Sequence, residues 1–369
     1  MENKKIKICL ISYHSSPLAP VGAGSSGGMS IYLSNLCKRI SKNLEIDIFC
    51  RGEEKKDKVE KCNLIYLNDI SMDKFTDEIL RNHAKKKYDV LHTHYWLSGI
   101  IGKKIKKLFP DLFWLHSFHT IEELKKVTRD IDRIEIEKEI LRLCDFIVSP
   151  TLEEKRWIKE TYPEVSVKVI PHGVSPVDFP FKKDGSRNIL FVGRIVPVKG
   201  IELLFDSLKF IKGDYTLNVV GGPSKDISYY NHTKSMGTGY PINFVGRVSH
   251  KELYKIYQNS CVLVLPSYYE SFGLVALESM SSGRPVVGFS DTSLSEVVGK
   301  KAGIFVKRDK RELSHAINFL LSNKSKRYVF GKEAKQRSYA YTWEETSRRY
   351  IEFYEKIAKE YTCNNGSSR

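Results

Sequence analysis

Short apolar runs rich in β-branched residues recur along the chain, and segments with helical spacing of apolar positions separate them. Runs of four to eight such residues, bounded by turn residues, are typical of buried parallel strands. Their regular alternation with helical segments predicts an α/β fold. The segments that carry or end these runs are 5–12, 88–99, 112–126, 188–200, 218–223, 243–248, 261–266, 283–290 and 302–308.

The strand–helix units form two series, and 369 residues suit two domains of ordinary size. The first series ends near residue 175, where three prolines interrupt the pattern: Pro171, Pro176 and Pro180. A polar linker over 182–187 precedes the second series. We therefore predict two doubly wound domains with ligand sites at the carboxyl ends of their strands, in one interdomain cleft. The predicted parts are domains over 1–180 and 181–342, a C-terminal helix over 343–361 and a disordered tail over 362–369.

Two glutamates flank a helix start in the segment SYYESFGLVALESM, residues 267–280. Glu270 lies in the loop after an apolar run, and Glu278 lies eight positions later, beyond Gly273. The free N–H groups of a helix start and its dipole favour anions there. One glutamate is placed to accept hydrogen bonds from sugar hydroxyls and the other to reach a ribose. The alternative is a capped surface helix with two solvated glutamates.

Two cations stand at a second helix start, in NILFVGRIVPVKG, residues 188–200. Arg194 and Lys199 are five residues apart in the loop after an apolar strand. Fixed cations beside a helix start suit a diphosphate leaving group. We expect Lys199 to be solvated when no phosphate is bound.

A glycine- and serine-rich loop follows the first strand and leads into an amphipathic helix. Its glycines allow the backbone to pass close to a ligand, and Ser30 stands at the helix entry. The pattern is not a dinucleotide fingerprint, because the third glycine is misplaced and no acid follows a second strand at the expected distance. The glycines are Gly22, Gly24, Gly27 and Gly28.

The cation pair followed by the glutamate pair resembles the donor half of the retaining family 4 glycosyltransferases of the GT-B fold. The motifs SPLAPVG…GGMSIY, HTHYWLSG and HSFHT are similar to the subgroup of the sucrose-phosphate synthases and the inositol-phosphate N-acetylglucosaminyltransferases. The resemblance covers roughly residues 5–345. It implies two facing Rossmann-like domains, with the acceptor bound by the first and the nucleotide-sugar by the second. It also implies that the C-terminal helix returns to the first domain.

The resemblance implies a front-face transfer in which the departing phosphate oxygen takes the acceptor proton. Arg194 and Lys199 would stabilise the phosphate charge, Glu270 would hold sugar hydroxyls and Glu278 the ribose hydroxyls. His119 would lie by the reacting sugar; the catalytic residues are thus His119, Arg194, Lys199 and Glu270. A covalent route with Glu270 as nucleophile is the rival. The full donor set is Gly28, Gly193, Arg194, Lys199, Val248, Glu270, Phe272, Gly273, Leu274, Val275 and Glu278.

The relatives take a phosphorylated sugar or cyclitol, and their acceptor contacts carry over to six positions. These are Gly27, Ser30, Lys74, Tyr95, Thr120 and Arg133. The chain departs from the pattern at Ser25, where an acid is usual, and at Ser30, where an Asn is usual. Both positions face the acceptor. For Arg133 and Lys74 the alternative is a solvated charge.

No metal and no cofactor is expected. The one D-x-D, Asp130-Ile-Asp132, lies in a charged helical run. The pairs His92/His94 and His116/His119 lack a convergent acid or cysteine at ligand spacing, and no C-x-x-C occurs. Structural or substrate-facing histidines are the favoured interpretation.

The formal charge of +16 allows binding to nucleic acid, anionic membrane or phosphorylated small molecules. No nucleic-acid fold signature accompanies it, so no nucleic acid is expected. The basic runs are interpreted as solvated helix faces, and weak contact with anionic lipid is the alternative for the segment 100–109, which pairs apolar and basic faces. No apolar stretch approaches ~20 residues, the N-terminus is not a signal peptide, and the seven scattered cysteines favour a reduced, cytoplasmic protein.

We therefore predict a metal-independent, retaining hexosyltransferase that uses a nucleotide-sugar, foremost a UDP-sugar. The acceptor is a hydroxyl of a small phosphorylated sugar or cyclitol. The first alternative is the same chemistry on a glycan or lipid-linked acceptor, and a distant one is a non-catalytic nucleotide-sugar-binding protein. An eroded relative of that last kind should have lost a donor cation or acid, and Arg194, Lys199, Glu270 and Glu278 are all present.

Overall fold

A computed structural model describes residues 5–18, 28–39, 44–52, 62–68, 70–176, 187–224 and 226–366, with side chains described up to residue 360. The chain divides into two compact units. Unit 1 comprises Met1–Glu122, Asp130–Pro171 and Trp343–Arg369, and unit 2 comprises Glu123–Arg129 and His172–Thr342. Gly22, Gly24, Ser25, Gly27 and most of the predicted linker lie outside the described residues.

Unit 1 is built on a parallel sheet in the order β3-β2-β1-β4-β5-β6-β7. The direction of winding reverses between β1 and β4, which is where ligands bind in sheets of this kind. Its strands are β1 Ile6–Ser12, β2 Leu44–Cys50, β3 Cys62–Tyr66, β4 Val90–His94, β5 Phe113–Ser117, β6 Phe146–Ser149 and β7 Val167–Val169. Its helices are α1 Gly28–Lys38, α2 Met72–Lys86, α3 Tyr95–Leu108, α4 Ile131–Leu143, α5 Leu152–Thr161 and α13 Trp343–Gly366.

Unit 2 is built on a second parallel sheet, in the order β10-β9-β8-β11-β12-β13, with its reversal between β8 and β11. Its strands are β8 Asn188–Val192, β9 Thr216–Val220, β10 Ile242–Gly246, β11 Val262–Leu265, β12 Val286–Phe289 and β13 Gly303–Val306. A short 3-10 helix, Pro197–Lys199, follows β8. The α-helices are α6 Ile201–Leu208, α7 Ile227–Met236, α8 His250–Gln258, α9 Leu274–Ser281, α10 Leu294–Val298, α11 Lys310–Ser322 and α12 Lys324–Ser338.

The apolar strands of unit 2 are buried on both faces, as their unbroken runs indicate. In β8, Ile189 and Phe191 pack into the cluster that includes α6 and α11 residues, whereas Leu190 and Val192 pack into the cluster that includes α9 and α10 residues. The two parallel sheets confirm the predicted α/β class and its two Rossmann-like parts.

The C-terminal helix α13 belongs to unit 1 and packs against α1 and β1. Its buried aromatic residues include Tyr350 and Tyr354. The helix continues to Gly366 and so includes the first five residues of the stretch whose composition indicates disorder.

Candidate active site

The strand ends of β8 and β11, which are neighbours in the sheet of unit 2, bring Lys199 and Glu270 together. Nζ of Lys199 lies 2.5 Å from Oε1 of Glu270, and the Ser267 hydroxyl donates to the same oxygen at 2.8 Å. The two side chains are 22% and 11% exposed. The expectation of a solvated Lys199 is therefore wrong, because the ammonium already has a partner, the carboxylate of Glu270.

Gly200 is what allows the two loops to come so close. Its φ is +65°, and a Cβ atom at this position would lie 2.0 Å from the carbonyl oxygen of Pro266. Next to this contact the Tyr268 N–H donates to the Val198 carbonyl at 2.8 Å. Any side chain at residue 200 would force the loop of Lys199 away from the loop of Glu270.

Arg194 is the other predicted phosphate ligand, and it is exposed at the end of β8. Within the described part of the chain its guanidinium has no hydrogen-bond or ion-pair partner. Its loop lies against the end of β9, where Gly221 has φ +136° and a Cβ would lie 1.9 Å from the Gly193 carbonyl oxygen. A cation held on a close-packed backbone and left without a carboxylate suits an anionic ligand.

Helix α9 begins directly after Gly273, which has φ +88°. The first amides of a helix have no acceptor within the helix, so those of Leu274 and Val275 are available to an anion. Phe272, which precedes them, is buried and packs edge-on against the ring of His172. The loop therefore presents two backbone amides at the position where the pyrophosphate contact is predicted.

Glu278 lies one turn into α9 and is 6% exposed. The Tyr257 hydroxyl donates to Oε2 at 3.1 Å, and Nε2 of His250 lies 3.7 Å from Oε1. Burial raises the pKa of Glu278, and His250 and Tyr257 offset only part of that rise. Val248, another predicted donor residue, is partly buried against the apolar cluster that contains Tyr257.

In unit 1, three predicted acceptor residues meet at the ends of β4 and β5. Arg133 donates from Nη1 to the Tyr95 hydroxyl at 3.0 Å and from Nη2 to the Thr120 hydroxyl at 2.8 Å. The guanidinium also lies 4.8 Å from the centre of the Tyr95 ring. Tyr95 has φ +71°, a strained value for a residue with a side chain. The sequence-predicted residues are therefore neighbours in space.

Arg133 is not a solvated charge, since it is only 6% exposed and pairs with two buried carboxylates. Nε contacts Glu137 at 2.7 Å and Nη1 contacts Glu122 at 2.8 Å. Burial raises the pKa of Glu137, with Arg133 opposing the rise. A phosphate that bound Arg133 directly would have to compete with these glutamates.

His119, at φ +60°, is linked to His94 by a hydrogen bond of 2.9 Å between Nε2 and Nδ1. Within the described ranges, no group of three or more His, Cys, Asp or Glu side chains is arranged to hold a metal ion. Asp130, from the D-x-D, is the N-cap of α4 and accepts from the Arg133 N–H at 3.1 Å.

The remaining acceptor residues differ in exposure. Ser30 is buried, and its hydroxyl bonds to that of Ser15. Lys74 is exposed in the first turn of α2. Gly28, which is predicted to bind the donor, is the exposed first residue of α1.

Three lysines of the 100–109 segment pair with acids of neighbouring elements: Lys103 with Glu139, Lys104 with Asp73 and Lys106 with Asp145. This pairing leaves little free charge in α3 for a lipid surface. None of the described helices combines the length and the apolar character needed to cross a bilayer.

Several residues that shape the two sites escaped the sequence analysis. Ser267 and Tyr257 hold the two donor glutamates, and Glu122 and Glu137 hold Arg133. Ser267 and Glu137 had a usable signal, since Ser267 stands three residues before Glu270 in one loop and Glu137 stands four residues after Arg133 on one helix. Tyr257 and Glu122 are brought in by the fold from other elements.

Two family models match consecutive parts of the chain. The family model "Glycosyltransferase Family 4" matches residues 26–177, and "Glycosyl transferases group 1" matches residues 178–337. The D-inositol 3-phosphate glycosyltransferase of Corynebacterium urealyticum is 28% identical, over 95% of this chain and 96% of the relative.

Solved structures extend the likeness over nearly the whole chain. The sucrose-phosphate synthase of Thermosynechococcus elongatus has a TM-score of 0.84 at 28% identity, covering 96% of this chain and 99% of its own. The HepE protein of Anabaena, solved in complex with UDP and glucose, has a TM-score of 0.80 and covers 95% of this chain and all of its own. Its 14% identity makes that a likeness of fold.

Proposed function

The chain belongs to the family 4 glycosyltransferases of the GT-B fold, and on that premise we propose that it transfers a hexosyl group from a UDP-sugar to a small phosphorylated sugar or cyclitol. We further propose that the transfer retains the anomeric configuration and needs no metal. The observation that carries the proposal is the arrangement of Lys199, Glu270 and Ser267 beside the start of α9.

The proposed reaction breaks the bond between the sugar C1 and the β-phosphate oxygen. Lys199, with the exposed Arg194, stabilises the charge that develops on this phosphate as it leaves. The acceptor hydroxyl attacks C1 from the same face and gives its proton to the departing phosphate oxygen. UDP and the glycosylated acceptor are the products, so atoms and charge balance without a protein base.

Glu270 is proposed to hold the sugar hydroxyls. Its Oε1 already accepts from Lys199 and Ser267, which leaves Oε2 for the sugar. A carboxylate bonded to a lysine and a serine is a weaker nucleophile than a free one. This favours the electrostatic role of Glu270 over the covalent route.

Two fixed cations at the phosphates support metal independence, because they supply the charge that a divalent ion supplies in other transferases. The test is donor turnover in excess EDTA. Unchanged turnover is expected, and a loss that Mg²⁺ or Mn²⁺ restores would overturn this part of the proposal.

The acceptor class is supported by the name of the Corynebacterium relative and by the hydroxyls of Tyr95 and Thr120, which Arg133 holds side by side. Lys74 is exposed and is proposed to contribute a charge to the acceptor phosphate. The test compares UDP release from UDP-glucose and UDP-N-acetylglucosamine with a panel of sugar and inositol phosphates, their unphosphorylated forms and a lipid extract. Saturable transfer to a phosphorylated member is expected, with NMR of the product showing the donor's anomeric configuration. Transfer to the lipid extract alone would favour the lipid-linked acceptor instead.

A further inference from the structure

Arg308 lies in the loop between β13 and α11 and is not one of the predicted site residues. Its Nη2 donates to the Tyr268 carbonyl at 2.7 Å, and its Nη1 makes a longer contact of 3.4 Å to the Ser267 carbonyl. The side chain is only 17% exposed. One guanidinium therefore spans two consecutive carbonyls of the loop that leads to Glu270.

The guanidinium of Arg308 is itself held from the other side. Its Nε bonds to Asp291 at 2.8 Å, and its charge lies 5.0 Å from the ring centre of Tyr268 and 5.2 Å from that of Phe289. Lys126 also donates to Asp291. Burial raises the pKa of Asp291, but the hydrogen bonds from Arg308 and Lys126 outweigh it and lower the pKa below its usual value. Asp291 is thus a carboxylate that keeps Arg308 in one orientation.

The two residues that Arg308 holds are those that contact the ion pair of the donor site. Ser267 donates its hydroxyl to Glu270, and Tyr268 donates its N–H to the carbonyl of Val198, the neighbour of Lys199. A shift of residues 267–268 would therefore move the partner of Glu270 and the backbone beside Lys199 together. Misplacement of reacting groups by about 1 Å can cost ~100-fold in rate.

We propose that Arg308 is a positioning residue for the donor site: by holding the carbonyls of Ser267 and Tyr268, it fixes the distance between Lys199 and Glu270. This inference rests on the proposed function of that pair. A brace that served only stability would lower the unfolding temperature and leave kcat unchanged wherever the protein is folded.

The test compares Arg308→Lys and Arg308→Ala with a matched control, Arg311→Lys. Lysine keeps the positive charge but lacks the planar fork of donors with which Arg308 spans the two carbonyls. Arg311 is exposed in the first turn of α11, and its cation lies over Phe210. We expect kcat to fall by about 10- to 100-fold in both Arg308 variants, with the Kd for UDP within about threefold of wild type. The control should stay within about twofold in both. Circular dichroism at the assay temperature checks that each variant is folded.

A double-mutant cycle with Ser267→Ala separates positioning from an independent effect. If Arg308 acts through Ser267, the double variant loses little more rate than the worse single variant. Losses that multiply would overturn the proposal, and so would a lowered melting temperature with unchanged kcat.

A binding measurement separates this inference from the proposed function. If wild-type protein turned over no donor, the transferase proposal would fail, but the ratio of Kd for UDP to Kd for UDP-glucose can still be measured. Arg308→Lys should reduce that ratio, because the sugar is held by Glu270, and leave the Kd for UDP itself near wild type. An unchanged ratio would count against the role of Arg308 on its own.

Discussion

The strand ends of the two units carry different kinds of polar residues. In unit 1, β4 and β5 contain buried histidines with neutral partners: His92 bonds to the Tyr354 hydroxyl at 2.6 Å and to Ser117 at 3.0 Å, and His116 bonds to Thr93 at 2.7 Å. In unit 2, β8 and β11 are followed by charged side chains that are exposed or only partly buried, Arg194, Lys199 and Glu270.

The difference separates groups that serve the fold from groups that serve a ligand. Burial lowers the pKa of His92 and His116, so both rings are neutral and their partners lie inside the protein. In unit 2, Arg194 is left without a described partner, and Lys199 has one that a phosphate can share. We therefore expect substitutions in the buried polar network of unit 1 to act mainly on stability, and those of Arg194, Lys199 and Glu270 in unit 2 to act mainly on turnover.

The largest effect is expected for Lys199→Ala. If Lys199 stabilises the leaving phosphate more in the transition state than in the ground state, its loss should lower kcat by about two to four powers of ten, roughly 3–5 kcal/mol. Lys199→Met, which keeps most of the packing of the stem, should fail nearly as badly because the loss is of charge.

The same variants test the comparison between the units. The contact with Glu270 is partly exposed, so its removal should cost only about 1 kcal/mol of unfolding free energy, as measured in urea. Near-normal turnover of Lys199→Ala at saturating donor would show that this half is not the donor site.

In unit 1 the matching change is Arg133→Met, which should act on the fold. It leaves Glu122 and Glu137, both at most 2% exposed, without their cation. Breaking a buried ion pair from one side typically costs about 3–5 kcal/mol. Urea unfolding measures this loss. Arg142→Met, at an exposed position of the same helix α4, is the control and should change stability by less than about 0.5 kcal/mol. Equal midpoints for the two variants would contradict the role of Arg133 as the centre of a buried network.

The strands and the charged residues of the donor site could be predicted from the sequence, but the contacts between those residues could not. The apolar runs predicted the parallel strands because buried strands are apolar on both faces. Four charged residues could be found because each stands close to the end of a predicted strand or the start of a predicted helix: Arg194, Lys199, Glu270 and Glu278. The direct bond from Lys199 to Glu270 could not be predicted, because it depends on the close approach of two loops at Gly200.

Contacts across long stretches of sequence were equally hidden. Arg308 is 41 residues from Ser267, and no periodic pattern links them. Arg133 was predicted as a phosphate ligand or a solvated charge because a positive charge in a helical run looks the same in both cases. Its partner Glu137 stands one turn along the same helix, but the second buried carboxylate, Glu122, became visible only when the segment after β5 was placed beside α4.

A smaller effect is expected from the buried histidines when the pH falls. The pKa of His92 is lowered by burial to about 3, so the folded state binds its proton far below the ordinary value of 6.5. The stability that the neutral ring contributes is complete above pH 6.5 and is lost as the pH falls, by about 1.4 kcal/mol per unit. Between pH 6.5 and 5 the loss is about 2 kcal/mol for this residue. His92→Gln should unfold with a shallower pH dependence in urea titrations over this range. An identical slope for both proteins would show that His92 is accessible to protons in the fold.

The smallest effect, and one of opposite sign, is expected for Glu278→Gln in unit 2. Burial raises the pKa of Glu278, so above the ordinary range of a glutamate the folded protein bears the cost of an ionised buried carboxylate. Glutamine removes that charge and keeps a donor–acceptor group beside Tyr257, so the variant should be more stable than wild type at pH 8 by about 1 kcal/mol. The gain should shrink as the pH falls through the raised pKa, because wild-type Glu278 then becomes neutral as well. UDP should bind about tenfold more weakly, since a ribose hydroxyl loses a charged acceptor.

Glu252→Gln is the control, and the opposite change in stability is expected for it. Hydrogen bonds from Ser249 lower the pKa of Glu252, so this variant should lose stability and leave UDP binding unchanged. If Glu278→Gln proved less stable at pH 8 and as tight for UDP, its carboxylate would belong with the structural groups of unit 1.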